Sequence, residues 1–314
     1  MSEQELTGAH DAWAEWLLRG RAGASAEHEA RIEARVGLFV DRVLDALEPE
    51  PGQCLLDFGC GSGALGLRAL QRWPDVRVVF ADTSPMLMRV AGERATAMGA
   101  AARCRLLRLD ADSGVASVLR ELADASVDAV ATRSALAYVA DKPAMLAEFR
   151  RVLRPGGVLS LGEPVFRDDA LAACAQRRAL EEVAQPAGLA AQQPQLLRLL
   201  QRWRSQQFPD TEQELARSPH CNYSERELFA WALQARFAQV HVELHIDAGP
   251  SLAPDWESFT RHTPHPFARS LRDVLDHDFA PEERALLEGV LRENWDRGAM
   301  VSVERMVYVR ALRP

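Results

Sequence analysis

The sequence predicts an α/β fold built on one doubly wound sheet of seven strands. Three observations carry that expectation. Short apolar runs alternate with helical patterns from Cys54 to about residue 163, as in βαβ units whose parallel strands are covered on both faces. A glycine turn, Gly59-Cys60-Gly61-Ser62-Gly63, joins the first run to the first helix of that series. Glycine there permits a tight turn and close backbone approach to a ligand. Asp82 and Asp110 end the next two runs, and open α/β sheets bind ligands at that carboxyl edge.

The elements follow in order. The first 45 residues read as helices, because Trp13, Trp16 and Leu17, then Ile32, Val36, Phe39, Val40, Val43 and Leu44, recur at helical spacing. Pro49, Pro51 and Gly52 break the pattern. Strands are expected at 54–58, 76–81, 104–109, 127–132 and 158–161, with helices near 64–73, 85–98, 113–124 and 142–153 between them. The last helix starts after Asp141, with Pro143 in its first turn, and stops at Arg154-Pro155-Gly156-Gly157. Residues 166–222 look mostly helical. Ser224 opens a helix with Glu227 three residues on, a capping box. Residues 239–246 alternate, with Val240, Val242, Leu244 and Ile246 on one face and His241, Glu243 and His245 on the other. A second helical insert spans about 252–297, and 301–312 is the final strand. One domain is expected, divided into a helical cap (1–48), a core (49–165), a helical insert (166–222), a core helix and strand (223–247), a second insert (248–299) and the last strand (300–314).

Composition excludes several functions. The net charge of −8 argues against a duplex nucleic-acid binder. Lys142 is the only lysine among 37 basic residues. No Gly-Lys-Ser/Thr phosphate loop exists, and Schiff-base chemistry would have to use Lys142. Cys54, Cys60, Cys104, Cys174 and Cys221 are widely spaced, with no Cys-x-x-Cys pair. That fits a reducing cytoplasm and gives no metal signature. The polar, acidic beginning is unlike a signal peptide, and no apolar run is long enough to span a membrane.

Two cofactors compete for the cleft. Gly61-Ser62-Gly63-Ala64-Leu65-Gly66 satisfies the dinucleotide pattern G-x-G-x-x-G, with Asp82 about 20 residues on. The same segment read from Asp57 gives Asp-x-Gly-x-Gly-x-Gly through Gly59, Gly61 and Gly63. Three further motifs accompany it: Phe80-Ala81-Asp82-Thr83-Ser84-Pro85-Met86-Leu87, Leu109-Asp110-Ala111-Asp112 and Arg151-Val152-Leu153-Arg154-Pro155-Gly156-Gly157. Over about residues 50–165 the chain resembles the class I S-adenosylmethionine-dependent methyltransferases, in their small-molecule, type-11-like branch.

The resemblance implies a Rossmann-like sheet whose last strand is antiparallel, with the two inserts as lids on the substrate side and S-adenosyl-L-methionine as cofactor. It implies that Asp57, Gly59, Cys60, Gly61 and Gly63 form the cofactor turn, with Gly59 and Gly61 against the methionine part. Asp82, with Thr83 beside it, would hold the ribose. Asp110 and Ala111 would flank the adenine, and Met86 or Leu87 would pack on the ring. The fourth strand ends Thr132-Arg133-Ser134-Ala135-Leu136-Ala137-Tyr138, an edge that lies beneath the methyl group in related enzymes. Arg133 there pairs with a cofactor or substrate carboxylate, or makes a sheet-edge salt bridge. Glu163 ends the fifth strand and either orients an acceptor or has a structural role. Arg133, Tyr138 and Glu163 are the candidate catalytic residues.

The Asn/Asp-Pro-Pro-aromatic motif of nucleic-acid and protein amide methyltransferases is absent, which points to a small-molecule acceptor and to neither nucleic acid nor membrane as partner. Trp13 and Trp16 are core packing or part of a helix closing the cleft. His262 and His265 lie in a loop of the second insert that could supply a base but is expected at the surface, and His241 and His245 lie on a solvated strand face too far apart to share a metal. Catalysis is therefore expected to be chiefly positional. Cys221, with Cys60 and Cys174, leaves arsenite methylation as a minor alternative. The main rivals are a nicotinamide-dependent oxidoreductase and a non-methylating member that binds the cofactor.

Overall fold

The computed structural model describes residues 11–110, 118–183 and 192–314. A short helix α1 (Ala12–Glu15) runs into a π-helical turn at Trp16–Gly20, and α2 (Ala26–Asp45) follows. The core then alternates β1 (Cys54–Phe58), α3 (Ala64–Arg72), β2 (Arg77–Asp82), α4 (Pro85–Ala97), β3 (Cys104–Arg108), β4 (Val127–Arg133), α5 (Lys142–Val152) and β5 (Leu153–Pro164). The expected helix near 113–124 lies partly outside the described residues. A first helical insert contains α6 (Arg167–Val183), α7 (Gln192–Arg204) and α8 (Glu212–Arg217). Helix α9 (Glu225–Gln234) and strand β6 (Ala238–Pro250) return to the sheet. A second insert holds α10 (Trp256–Arg261), α11 (Leu271–His277) and α12 (Pro281–Asp296), before β7 (Val301–Leu312).

The strands form one seven-stranded sheet in the order β3-β2-β1-β4-β5-β7-β6. Strands β1 to β5 are parallel, and β7 runs antiparallel between β5 and β6. Leu55, Leu56 and Phe58 of β1 and Val78 to Ala81 of β2 are buried, as continuous apolar strands covered on both faces must be. Val40, Val43 and Leu44 of α2 pack with α3 and α4 on one face. Met145, Leu146 and Phe149 of α5 and Leu228 and Ala232 of α9 cover the other. The local signals act as expected: Ser84 caps α4 with Pro85 in its first turn, Asp141 caps α5, and Ser224 with Glu227 forms the capping box of α9.

Three features depart from the sequence expectation. Strand β5 is longer than 158–161, because Leu153 already pairs beside Val127 and the Gly156 N–H donates to the Arg313 carbonyl. On β6, Val240 and Val242 pack on the core, whereas Leu244 and Ile246 are exposed. The opposite face is not simply solvated: Glu243 gathers His241, His245 and Arg42 of α2. The two inserts also share one core, in which Leu199 of α7 packs with Leu271, Val274, Leu287 and Leu291. Among the described residues no helix is long and apolar enough to cross a membrane.

Candidate active site

The glycine turn is held from both sides. The N–H groups of Gly59 and Cys60 donate to the Ala81 carbonyl at 2.8 and 3.0 Å, tying the turn to β2. Gly59, Gly61 and Gly63 have φ of 67°, 53° and 93°, which glycine alone adopts without strain. A Cβ on Gly59 would stand 2.2 Å from the Ala135 Cβ at the end of β4. Asp57 does not reach the cleft, contrary to the role expected for it. It is 1% exposed and its Oδ2 accepts from the Gly66 N–H at 2.9 Å. Burial raises its pKa to about 7 against the opposing effect of that amide. Asp57 therefore shapes the turn rather than touching a ligand.

Asp82 stands at the tip of β2, facing a cavity of about 1480 Å³. Its Oδ2 accepts from Gly61 N–H at 2.8 Å and its Oδ1 from Ser84 N–H at 2.9 Å. With the Thr83 amide also close to it, the carboxylate still keeps acceptor capacity for a ligand. Burial raises its pKa, and the Ser84 and Gly61 amides oppose that. The Ser84 hydroxyl donates to Asp11 Oδ2 at 2.5 Å, while Asp11 Oδ1 caps α1. The N-terminal helix is thus latched to the shoulder that carries Asp82. Gly59, Cys60, Gly61, Thr83, Leu87 and Asp110 line the same cavity. Gly63 caps α3 just behind it. Met86 turns outward, is 37% exposed and accepts from Arg89, so Leu87 takes the place expected of the pair. Ala111 lies outside the described residues.

At the end of β4, Arg133 lines the cavity, and its Nη1 donates to Ser134 Oγ at 3.1 Å. Among the described residues no carboxylate lies within salt-bridge distance of it, so the sheet-edge ion pair is not formed. Burial, then the Arg21 cation, lowers its pKa. Ser134 is held at φ 54°, an uncommon conformation for a side-chain-bearing residue. Of the two roles open to Glu163, its contacts are those of the structural one, and it does not line the cavity as a candidate catalytic residue would. It is fully buried, and its carboxylate accepts from the N–H groups of Leu136 and Ala137 at 3.2 and 2.9 Å and from Thr132 Oγ1 at 3.3 Å. Burial raises its pKa to about 7, opposed by these amides. It fastens the short 3₁₀ turn Leu136–Tyr138 that carries Tyr138 to the cavity.

Residues 55–157 match a protein family described as a methyltransferase domain. An uncharacterized methyltransferase of Mycobacterium tuberculosis is 36% identical over 124 residues, 40% of this chain and 57% of that one. Nocamycin O-methyltransferase of Saccharothrix syringae is 33% identical over 172 residues, 51% of this chain and 56% of the relative. Residues 55–157 form a class I S-adenosylmethionine-dependent methyltransferase domain. The chain spans about half the length of these curated relatives. Two solved structures share the fold. The YcgJ protein of Bacillus subtilis has a TM-score of 0.53 at 16% identity, covering 88% of this chain and 98% of that one. A geranyl diphosphate methyltransferase in complex with S-adenosylmethionine has a TM-score of 0.51 at 20% identity, covering 98% and 96%. The sheet order separates this domain from the dinucleotide fold, whose usual order 3-2-1-4-5-6 has no antiparallel strand inserted before the edge.

Beyond the methyltransferase domain, the cavity is walled by the N-terminal cap and the two inserts. Trp13 meets Tyr138 edge-on at 4.6 Å and Phe267 at 5.8 Å. The Trp16 Nε1–H donates to Thr263 Oγ1 at 3.0 Å, and Leu17 covers Gly61. The Trp helix therefore crosses the cleft and is not ordinary core. His262 and His265 are not surface residues. His262 lines the cavity, and His265 is 2% exposed, with its Nε2–H donating to the Gln207 carbonyl at 2.6 Å and its Nδ1 accepting from Phe267 N–H. His220 stacks on Tyr138 at 5.7 Å, and burial followed by Lys142 lowers its pKa to about 4. Cys60, Cys174 and Cys221 are buried free thiols. Among the described residues no three His, Cys, Asp or Glu side chains converge to hold a metal ion. The histidine most easily missed in the sequence is His28, which is buried against His262 with ring centroids 5.4 Å apart.

Proposed function

We propose that this chain transfers a methyl group from S-adenosyl-L-methionine to a small molecule held in the cavity between the sheet edge and the helical inserts. One observation carries the reading: the cavity of about 1480 Å³ extends from the glycine turn and Asp82 to both inserts. A site for one ligand typically measures about 300–1,000 Å³, so cofactor and acceptor fit side by side. Residues of the cleft suit the cofactor. Gly61 lines the cavity, where a Cβ would come 3.3 Å from Leu17, and the half-buried Arg133 at its wall lacks an ion-pair partner among the described residues. Asp82 would accept hydrogen bonds from ribose hydroxyls. Asp110 would face the adenine amine, Leu87 would pack on the ring, and Arg133 would pair with the methionine carboxylate.

When bound, S-adenosylmethionine supplies an electrophilic methyl group on a sulfonium. The protein's larger contribution is alignment for in-line displacement and exclusion of water, which is worth about 7–11 kcal/mol when geometry is good. Tyr138, Trp13 and Phe267 form the wall that fixes the acceptor, with the inserts as its lid. A cleft with Trp13, Tyr138 and Phe267 along one wall and a net charge of −8 favour a small molecule over a nucleic acid. Five free thiols fit the cytoplasm. Calorimetry with S-adenosylhomocysteine and with NAD tests the cofactor. Binding of NAD alone would overturn the reading. A screen of metabolite extracts with labelled methyl donor tests turnover. S-adenosylhomocysteine binding without any labelled product would instead support a non-methylating member of the fold.

A further inference from the structure

His262 ends α10 and lines the cavity on the side of the second insert. Its Nδ1 lies 2.7 Å from the Arg21 carbonyl oxygen. A carbonyl only accepts, so Nδ1 carries the hydrogen and Nε2 presents a bare lone pair. The ring is held from behind by His28, which is 2% exposed, and whose Nδ1 is buried without a partner. Arg21 pairs with Glu29 and lies near enough to Arg133 to depress that residue's pKa. The imidazole is therefore fixed in one tautomer beside the edge that carries Arg133. Burial, with His28 and the Arg21 cation, lowers its pKa to about 4, against the Arg21 carbonyl, so it stays neutral.

A neutral, oriented nitrogen acceptor in a cavity wall has one use for an acceptor molecule: it receives a hydrogen bond. A carboxylate has no hydrogen to give at neutral pH, and a thiolate needs no base. A hydroxyl has both the hydrogen and the need; an ammonium shares them but is disfavoured by the neighbouring Arg21 and Arg133 cations. Resting on the methyl-transfer reading, we propose that the acceptor is an alcohol or phenol and that His262 Nε2 takes its proton. In that step the hydroxyl oxygen forms a bond to the methyl carbon. The carbon–sulfur bond breaks with its electron pair going to sulfur, and the hydroxyl proton passes to Nε2. The weak basicity of this imidazole is no obstacle, because an oxygen acquiring a third bond becomes far more acidic than imidazolium. The Arg21 cation then favours return of that proton to water. Sequence alone suggested positional catalysis; here alignment remains the larger effect and His262 adds the base.

The test uses the intact chain with S-adenosylmethionine and three probes: para-nitrophenol, para-methoxyphenol and thiophenol, the last ionised without help. Wild type should methylate the phenols. His262→Ala should lose about 10²–10⁴-fold on para-methoxyphenol and stay within a few-fold on para-nitrophenol and thiophenol, both largely ionised near neutral pH. Its phenol rate should rise with pH toward each probe's own pKa, whereas the wild-type rate stays flat. Equal losses on para-methoxyphenol and thiophenol would show a structural role and overturn the proposal. A second readout needs no turnover. Nitrogen NMR of the protein bound to S-adenosylhomocysteine should show His262 neutral, with its hydrogen on Nδ1, down to about pH 5. The groups that bear on this titration are Arg21, His28 and Glu29, with Arg31 and Asp255 acting on His28. A hydrogen on Nε2, or a charged ring at neutral pH, would overturn it. Absence of S-adenosylhomocysteine binding would instead sink the methyltransferase reading. Binding without methylation of either phenol would sink the His262 assignment alone.

Discussion

Replacing Gly59 with alanine tests the turn where its geometry is tightest. The residue sits at φ 67°, and a side chain in the left-handed region costs about 1–2 kcal/mol. The new Cβ would stand 2.2 Å from Ala135 Cβ, against a normal carbon separation of about 3.5–4.0 Å. The turn and the β4 edge must therefore part by more than about 1 Å, an overpacking cost of about 1–3 kcal/mol. Together Gly59→Ala should destabilise the fold by about 2–5 kcal/mol. Ala135→Gly removes the obstructing methyl and leaves Ala135 Cα at 3.6 Å, an ordinary contact. The double variant should recover the steric part and keep the backbone strain. Urea unfolding at constant m measures the four corners of the cycle, and S-adenosylhomocysteine calorimetry follows the site. The expected coupling is about 1–3 kcal/mol. Additivity within about 0.5 kcal/mol would refute the reasoning, because it would mean that the two methyl groups never meet.

The other predictions concern the charged groups. Asp82→Ala should weaken S-adenosylhomocysteine binding by about tenfold to a hundredfold if the carboxylate bonds the ribose, at about 1.5–3 kcal/mol; it should also loosen the turn, since Gly61 and Ser84 lose their acceptor. Glu163→Gln should cost about 1–3 kcal/mol in urea melts, because its amide nitrogen must face a backbone N–H, while cofactor affinity changes little. Its pH dependence has a definite sign. The folded carboxyl keeps its proton to about 7 and the unfolded one does not, so wild type should lose stability relative to Glu163→Gln as pH rises from about 4.3 to 7. Lys142 behaves oppositely. Its ammonium donates to the Val139 and Pro219 carbonyls and lies 4.7 Å from the Tyr223 ring, and burial lowers its pKa to about 8. The unfolded chain holds that proton to about 10.4, so wild type should gain about 2 kcal/mol over Lys142→Met between about pH 8 and 10; a flat difference in denaturant midpoints would contradict it.

The half of the site that was legible is the half made by neighbours in sequence. Asp57, the glycines, Asp82 and Asp110 lie at the ends of successive β-strands, and a parallel sheet delivers successive strand ends to one edge. Periodicity located those strands, so it located the edge. It could not tell which acids face the ligand. Asp57 and Glu163 occupy strand ends like Asp82, and all three accept from backbone amides, yet of the three only Asp82 lines the cavity. Parallel strands are buried on both faces, so alternation carries no information about direction. Met86 and Leu87 were inseparable for a similar reason: both begin α4, and only the packed helix decides which one turns inward.

The proposed acceptor half is assembled across the whole chain, and beyond the Trp13 and Trp16 stripe it leaves little local trace. The Trp16 indole meets Thr263 across 247 positions, and the Arg21 carbonyl meets His262 across 241. In both pairs the N-terminal partner sits in an unremarkable helical stretch and the other in a loop that reads as polar surface. The same N-terminal segment also latches Asp11 to Ser84 and lays Leu17 over Gly61. One stretch of about 20 residues thus joins the cofactor edge to the second insert. A small rotation of that stretch would move Trp13, Trp16, Arg21 and His28 together relative to the fixed turn. On the proposed reading the cofactor contacts would depend on strand ends locked by the sheet, and the acceptor contacts on packing between the cap and the inserts. Substitutions in that packing can reshape the acceptor pocket while the cofactor edge stands, and so the strand-end motif names the cofactor while leaving the acceptor to be read from the packed cap.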